Sequence, residues 1–202
     1  MQIRPVRPDE LDAAADLLGR AFVGEPMLRW SHGGSDDDLA ERIAAEFLLL
    51  DPFLIAHEML WTVPDLLGVA AWIPPGDLAV QWQATSEANA EVNRGLADGG
   101  RHRDSMWEWV ESRLPDEPQW FLDHVGVEPH ARGQGIGRAL IDFGLARADA
   151  DGVTAALETG TAANVPYYER FGFVVVDEGD APDGGPRIWF MRRAPLSPDA
   201  WA

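Results

Sequence analysis

"VEPHARGQGIGRAL", Val127 to Leu140, places Gly133, Gly135 and Gly137 at alternating positions between Arg132 and Arg138. It follows the apolar run "QWFLDHVGV" and opens "GIGRALIDFGLARADA", where Ile136, Leu140, Phe143 and Ala146 or Arg147 recur along one helical face. "TAALETG" then reads as another strand, so the segment is a strand, turn, helix and strand, and a crossover of that length implies parallel pairing. At the turn, the first N–H groups of the helix lack partners within it and form the positive end of its dipole. Glycines there let an anion approach the backbone without a Cβ in the way, and the arginines add donors for phosphate oxygens. The turn reads as a phosphate or pyrophosphate cradle. A Walker A loop requires a lysine, and this chain has none. A Rossmann fingerprint belongs in the first strand-to-helix turn, whereas this one lies past the middle of the chain.

Toward the N-terminus, "MQIRPV" reads as a short strand, and Leu11, Ala14, Ala15, Leu18 and Phe22 have helical spacing. "VGEPMLRWSHGG" is a loop or short helix ended by two glycines. Ser35 to Asp38 has the form of a capping box for a helix carrying Leu39, Ile43, Phe47 and Leu50 on one face, expected to end near Asp51, before Pro52. "HEMLWTVPDLLGVAAWIPPG" predicts a hairpin, with strands at about 58–63 and 67–73. Residues 76–114 hold two helical stretches, around Ala79 to Leu96 and from Ser105, separated by "ADGGRHRD". Toward the C-terminus, Asn164 is an N-cap candidate and Pro166 falls in the first turn of "NVPYYERFG". "FGFVVVDEGD" and "RIWFMRR" read as closing strands, and "RAPLSPDAWA" as a short tail. The class is α/β with a mixed sheet, having both hairpin and crossover connections.

With 202 residues and no compositional boundary, one domain is expected. There is no cysteine, which excludes disulfides, a cysteine acyl-enzyme and Cys-based metal sites. The net charge is -18 and all sixteen basic residues are arginine, a balance that repels nucleic acid and anionic membranes. His32, His57, His102 and His130 show no metal-ligand spacing, so no metal is expected. No signal-peptide pattern and no bilayer-length apolar run stand out, and a cytoplasmic location is the expectation.

Arg132, Gly135 and Gly137 match the pyrophosphate-loop pattern of the GNAT superfamily of acyl-CoA-dependent N-acetyltransferases, preceded by "VGVEP". About thirty residues later, "NVPYYERFGF" resembles the second signature of that superfamily. The stretches "EPQWFLDHVGVEPHARGQGIG", "ALETGTAANVPYYERFGF" and "GPRIWFMRR" most resemble the puromycin N-acetyltransferase group. The resemblance covers nearly the whole chain. It implies a GNAT fold over 1–202, with a central, mostly antiparallel sheet of about seven strands, a parallel β-α-β coenzyme unit, helices on both faces and a helical insertion at about 76–114. It also implies direct transfer from acetyl-CoA to the primary amine of a small molecule, an antibiotic or aminonucleoside-like compound being one candidate. The alternatives are a protein or peptide N-acetyltransferase, or a non-catalytic acyl-CoA-binding domain. A monomer or homodimer is expected.

By the same resemblance, the backbone of Val125 and Val127 binds the pantetheine arm. Arg132, Gly133, Gly135, Ile136, Gly137 and Arg138 hold the pyrophosphate, and Asn164 helps fix the coenzyme. Tyr168 is the implied general acid, with Tyr167 as its competitor. Three residues remain open as the base: Glu158, at the end of "AALE", and Asp123 and His124, expected on opposite faces of their strand because side chains alternate. Residues 24–33 and 76–114 are expected to cover the acceptor side, with Trp30, Trp82, Trp107 and Trp109 stacking on the amine.

Overall fold

The computed structural model describes residues 1–115 and 117–196. A seven-stranded sheet runs in the order β1-β2-β3-β4-β5-β7-β6. Its strands are β1 (Arg4–Pro5), β2 (Leu60–Thr62), β3 (Gly68–Ile73), β4 (Trp120–Val127), β5 (Ala155–Thr159), β6 (Val174–Asp180) and β7 (Arg187–Arg193). Every neighbouring pair is antiparallel except β4 and β5, joined by the crossover helix α7 (Ile136–Asp151). This is the mixed α/β GNAT architecture expected from the sequence.

Two faces of apolar side chains explain the layers. On one, Val69, Ala71, Ile73 and Phe121 pack under α1 (Leu11–Phe22) and α3 (Leu39–Ala56). On the other, Ala70, Trp72, Leu122 and Leu157 pack under α7, and the short α8 (Val165–Glu169) brings Tyr168 to the same cluster. Trp72 reaches α7 where Gly144 leaves room, since a Cβ there would lie 2.0 Å from the indole. Its ring N–H donates to Leu140 O at 3.2 Å.

A third core, with Met27, Met106, Val110, Ile188 and Phe190, is made by α2 (Pro26–His32) and α6 (Arg101–Glu111) against β7. The segment from 76 to 114 holds three helices rather than two: α4 (Leu78–Ala84), α5 (Ser86–Gly95) and α6. Thr85 divides the first predicted stretch, its hydroxyl donating back to Gln81 O at 2.9 Å, and α6 begins at Arg101 instead of Ser105.

Helix α3 continues past the predicted stop at Asp51, carrying Pro52 within it to Ala56. Burial of Leu54 and Ile55 against the sheet outweighs the hydrogen bond that proline cannot donate. The expected capping box is also absent: Asp38 occupies the N-cap without a side-chain bond, and Ser35 Oγ instead accepts from Asp37 N at 3.2 Å. The last six residues of the predicted tail, 197–202, lie outside the described residues.

Candidate active site

Strands β4 and β5 pair only at Trp120–Ala155 and Phe121–Ala156. Beyond Phe121, the β5-side edge of β4 has no strand partner among the described residues, so the sheet parts into a slot lined by backbone N–H and C=O groups. Side chains from both faces of the sheet line a cavity of about 500 Å³ at this slot. Glu158 shares a face of β5 with Ala156, under α1 and α3, whereas Tyr168 belongs to the core on the opposite face; both line this cavity.

A β-bulge shapes the floor. Ala71 pairs with His124 and Trp72 with Leu122, so Asp123 is an extra residue in β4 with no partner on β3. Leu122 and Val125, three positions apart, therefore face the same core. The expectation that Asp123 and His124 point to opposite faces fails for this reason. Both line the cavity, with His124 Nδ1 2.8 Å from Asp123 Oδ2. His124 Nε2 faces Asp51 Oδ2 at 3.8 Å, and the imidazole packs on the Phe47 ring at 4.9 Å.

The charges here are strongly perturbed. Burial raises the Asp51 carboxyl to about 7, against the opposing pull of His124. Burial alone would lower His124, but Asp51 and Asp123 leave it raised overall. Burial, reinforced by Asp123, holds Glu158 well above the usual carboxylate range, and burial likewise raises the Tyr168 phenol. Glu25 caps α2, accepting from Leu28 N at 2.8 Å, and burial raises it as well.

The glycine turn lies beyond β4. Gly133 and Gly135 have φ of +80° and +81°, the left-handed region that glycine enters without strain, and Gly135 is the N-cap of α7. A Cβ at either would meet nothing within 4 Å, so this backbone faces open space. Ile136, by contrast, is buried in the α7 core and presents only its backbone to the turn. The two arginines are already engaged: Arg132 donates to Ala21 O at 3.0 Å, and Arg138 Nε lies 3.4 Å from Asp142 Oδ2. Asn164 stands at the α8 N-cap position without capping it; its side-chain amide donates to Thr159 Oγ1 at 3.1 Å, at the cavity wall. The open turn and the partnerless β4 edge together suit a long donor with a pyrophosphate at one end and an extended amide-bearing arm at the other.

Of the four predicted tryptophans, Trp82 and Trp107 line the cavity. Trp30 and Trp109 do not. Trp30 packs against the His102 ring at 4.9 Å, and Trp109 lies between Phe190 and the Arg113 guanidinium in the third core. Packing large rings between α2, α6 and β7 is what holds α6 against the sheet.

Sequence reasoning missed Asp51, Glu25, Gln81 and the buried Glu46–Arg103 pair. Glu46 accepts two bonds from Arg103, at 2.7 and 3.1 Å, and lies 2.7 Å from His32 Nε2, tying α3 to α6. Burial opposes its charge, yet Arg103 and His32 leave its pKa below normal. A signal did exist for Asp51: a lone acid inside the apolar run "FLLLDPFLI" is costly unless it has a task.

Comparison with known proteins agrees with this geometry. Residues 95–175 match the family model described as an acetyltransferase (GNAT) domain. The chain is similar to an uncharacterized N-acetyltransferase of Schizosaccharomyces pombe, 26% identical over 188 residues, which cover 86% of this chain and 74% of that one. It is 29% identical over 164 residues to a mycothiol acetyltransferase of Geodermatophilus obscurus, matching 74% of this chain and 47% of that protein. Thus it spans about three quarters of the first relative and about half of the second. Among solved structures, a Corynebacterium glutamicum protein described as histone acetyltransferase HPA2 and related acetyltransferase superposes with a TM-score of 0.70 at 23% identity, over 98% of this chain and 97% of that one. The fold is thus that of a GNAT acetyltransferase, and residues 95–175 carry the matched acetyltransferase domain, in keeping with acyltransferase activity. No helix among the described residues is long and apolar enough to cross a membrane, and they contain no group of three or more His, Cys, Asp or Glu suited to a metal ion.

Proposed function

We propose that the protein is an acetyl-CoA-dependent N-acetyltransferase acting on the primary amine of a small molecule. The observation that carries this reading is the cavity itself: Tyr168 and Glu158, from opposite faces of the sheet, line one chamber at the β4–β5 slot, with α5 and α6 also lining it. Two helices over the acceptor side suit a small molecule better than a polypeptide, which needs an open groove.

Acetyl-CoA supplies an acyl carbon activated as a thioester and departs as a thiol. In this reading the glycine turn from Arg132 to Arg138 receives the pyrophosphate through backbone N–H groups, and the free edge of β4 at Val125 and Val127 pairs with the amide-bearing arm. A backbone N–H of that edge would steady the charge developing on the acyl oxygen. Glu158 takes the proton from the attacking amine; its raised pKa makes it a stronger base than an ordinary carboxylate. Tyr168 gives its phenolic proton to the departing sulfur. Burial holds the Glu158 pKa up, and Asp123, bonded to His124, reinforces it. No protein acyl intermediate is required, in keeping with a chain without cysteine. The sequence resemblance to the puromycin N-acetyltransferase group supports a small-molecule acceptor without specifying which.

The test is amine-dependent thiol release from acetyl-CoA, with arylalkylamines, amino sugars, diamines and peptides as acceptors. Release with small amines supports the reading. Release with peptides alone, or tight acetyl-CoA binding without release by any amine, overturns it in favour of a peptide acetyltransferase or a binding domain.

A further inference from the structure

Resting on the acetyltransferase reading, the polar lining of the cavity points to a class of acceptor. At the deep end stand Glu25, Asp51, Asp123 and Glu158, and at the outer rim α6 presents Asp104, Glu108 and Glu111 on one helical face with Trp107. None of these carboxylates pairs with an arginine among the described residues, since Arg103, which also lines the cavity, is committed to Glu46. His124 is the other cationic group there, and it is held between Asp51 and Asp123.

A second observation is independent of charge. Several polar atoms of the lining are buried without a hydrogen-bond partner, and oxygens outnumber nitrogens: Glu25 Oε1, Asp51 Oδ2, Gln81 Oε1, Asn93 Oδ1 and Glu158 Oε2 against Trp107 Nε1 and His124 Nε2. Asp51 and Gln81 are only 1% and 7% exposed, so bulk water does not compensate them. A buried acceptor without a donor is costly, and a ligand rich in N–H groups relieves that cost at several points. An anionic or acceptor-rich ligand would add to it.

We infer that the acceptor is an amine bearing at least two ammonium groups on an apolar spacer, an α,ω-diamine or longer polyamine. One nitrogen enters the deep end, where Glu158 receives its proton. The distal ammonium stays charged at the α6 rim, between Glu108 and Glu111 and over the faces of Trp107 and Trp82, while the methylene spacer lies along the apolar wall of Phe22, Leu28 and Phe47. The overall charge of -18 draws such a cation toward the mouth.

The experiment compares 1,5-diaminopentane and spermidine with pentylamine, using the full chain, acetyl-CoA and thiol release, with acetyl-CoA binding followed separately by calorimetry. The expected kcat/KM favours the diamine over pentylamine at least about tenfold. In the double variant Glu108→Gln, Glu111→Gln, that ratio is expected to drop below about threefold. Equal use of pentylamine, or a ratio unmoved by the double variant, overturns the inference. Turnover of an arylalkylamine or amino sugar but of no diamine also overturns it while leaving the acetyltransferase reading standing; failure to bind acetyl-CoA removes both.

Discussion

His124 Nδ1 lies 2.8 Å from Asp123 Oδ2, although the two residues are neighbours on one strand. The extra residue in β4 makes this possible and turns both side chains into the cavity beside Asp51 of α3. Carboxylate, imidazole and carboxylate thus form a chain that is buried at Asp51 and His124 and half-buried at Asp123, in which charge on any member depends on the others.

Stability is expected to depend on that chain. The folded-state value of Asp51 is raised from 3.8 to about 7, so its contribution is complete below the unfolded value and is lost as pH rises through about 7. His124 is also raised, so its contribution is present below 6.5 and is lost at higher pH, in the same direction. Urea unfolding between pH 5 and pH 8 should therefore show this pair weakening the fold as pH rises. Asp51→Asn should flatten the trend, and a slope as steep as the parent's would remove Asp51 from it.

Tyr168→Phe deletes the hydroxyl and keeps the ring, which packs on Phe173 at 6.0 Å. A loss of about 10²-fold in kcat is expected, with acetyl-CoA affinity within about twofold of the parent. Steady-state thiol release and calorimetry measure the two. An unchanged kcat would assign the proton donor elsewhere, Tyr167 being next to examine.

Arg103→Met should destabilise the protein by about 3–5 kcal/mol, because it leaves Glu46 buried with only His32 beside it. The change in urea midpoint reports this. Since Arg103 joins α6 to α3, a cost below about 1 kcal/mol would mean that the apolar packing of α6 holds it without this pair.

Gly135→Ala forces a Cβ into a residue with φ of +81° and should cost about 1–2 kcal/mol in thermal stability. Gly24→Ala, which meets nothing within 4 Å and has no left-handed backbone, is the control. Equal melting temperatures for the two variants would show that the turn relaxes without cost.

Local pattern made much of the site legible. The turn from Arg132 to Arg138 and the segment at Tyr168 are contiguous, so spacing and glycine placement reveal them directly. Asp51 and Gln81 come from separate helices and Glu25 from the cap of a third, and no local periodicity marks them as neighbours. The tryptophans show the same limit from the other side: all four lie in or beside the region expected to cover the cavity, yet Trp30 and Trp109 serve the core under α6.

By itself the sequence determined the order of elements, the parallel unit around the glycine turn and the exclusion of cysteine and lysine chemistry, because these follow from backbone sterics, hydrophobic period and residue inventory. The tertiary structure alone decided that α3 runs through Pro52, that Asp123 bulges out of β4, and that Glu158 and Tyr168 reach one chamber from opposite faces. Each depends on contacts between residues far apart in the chain, where burial of α3 against the sheet and the parting of β4 from β5 override local preference.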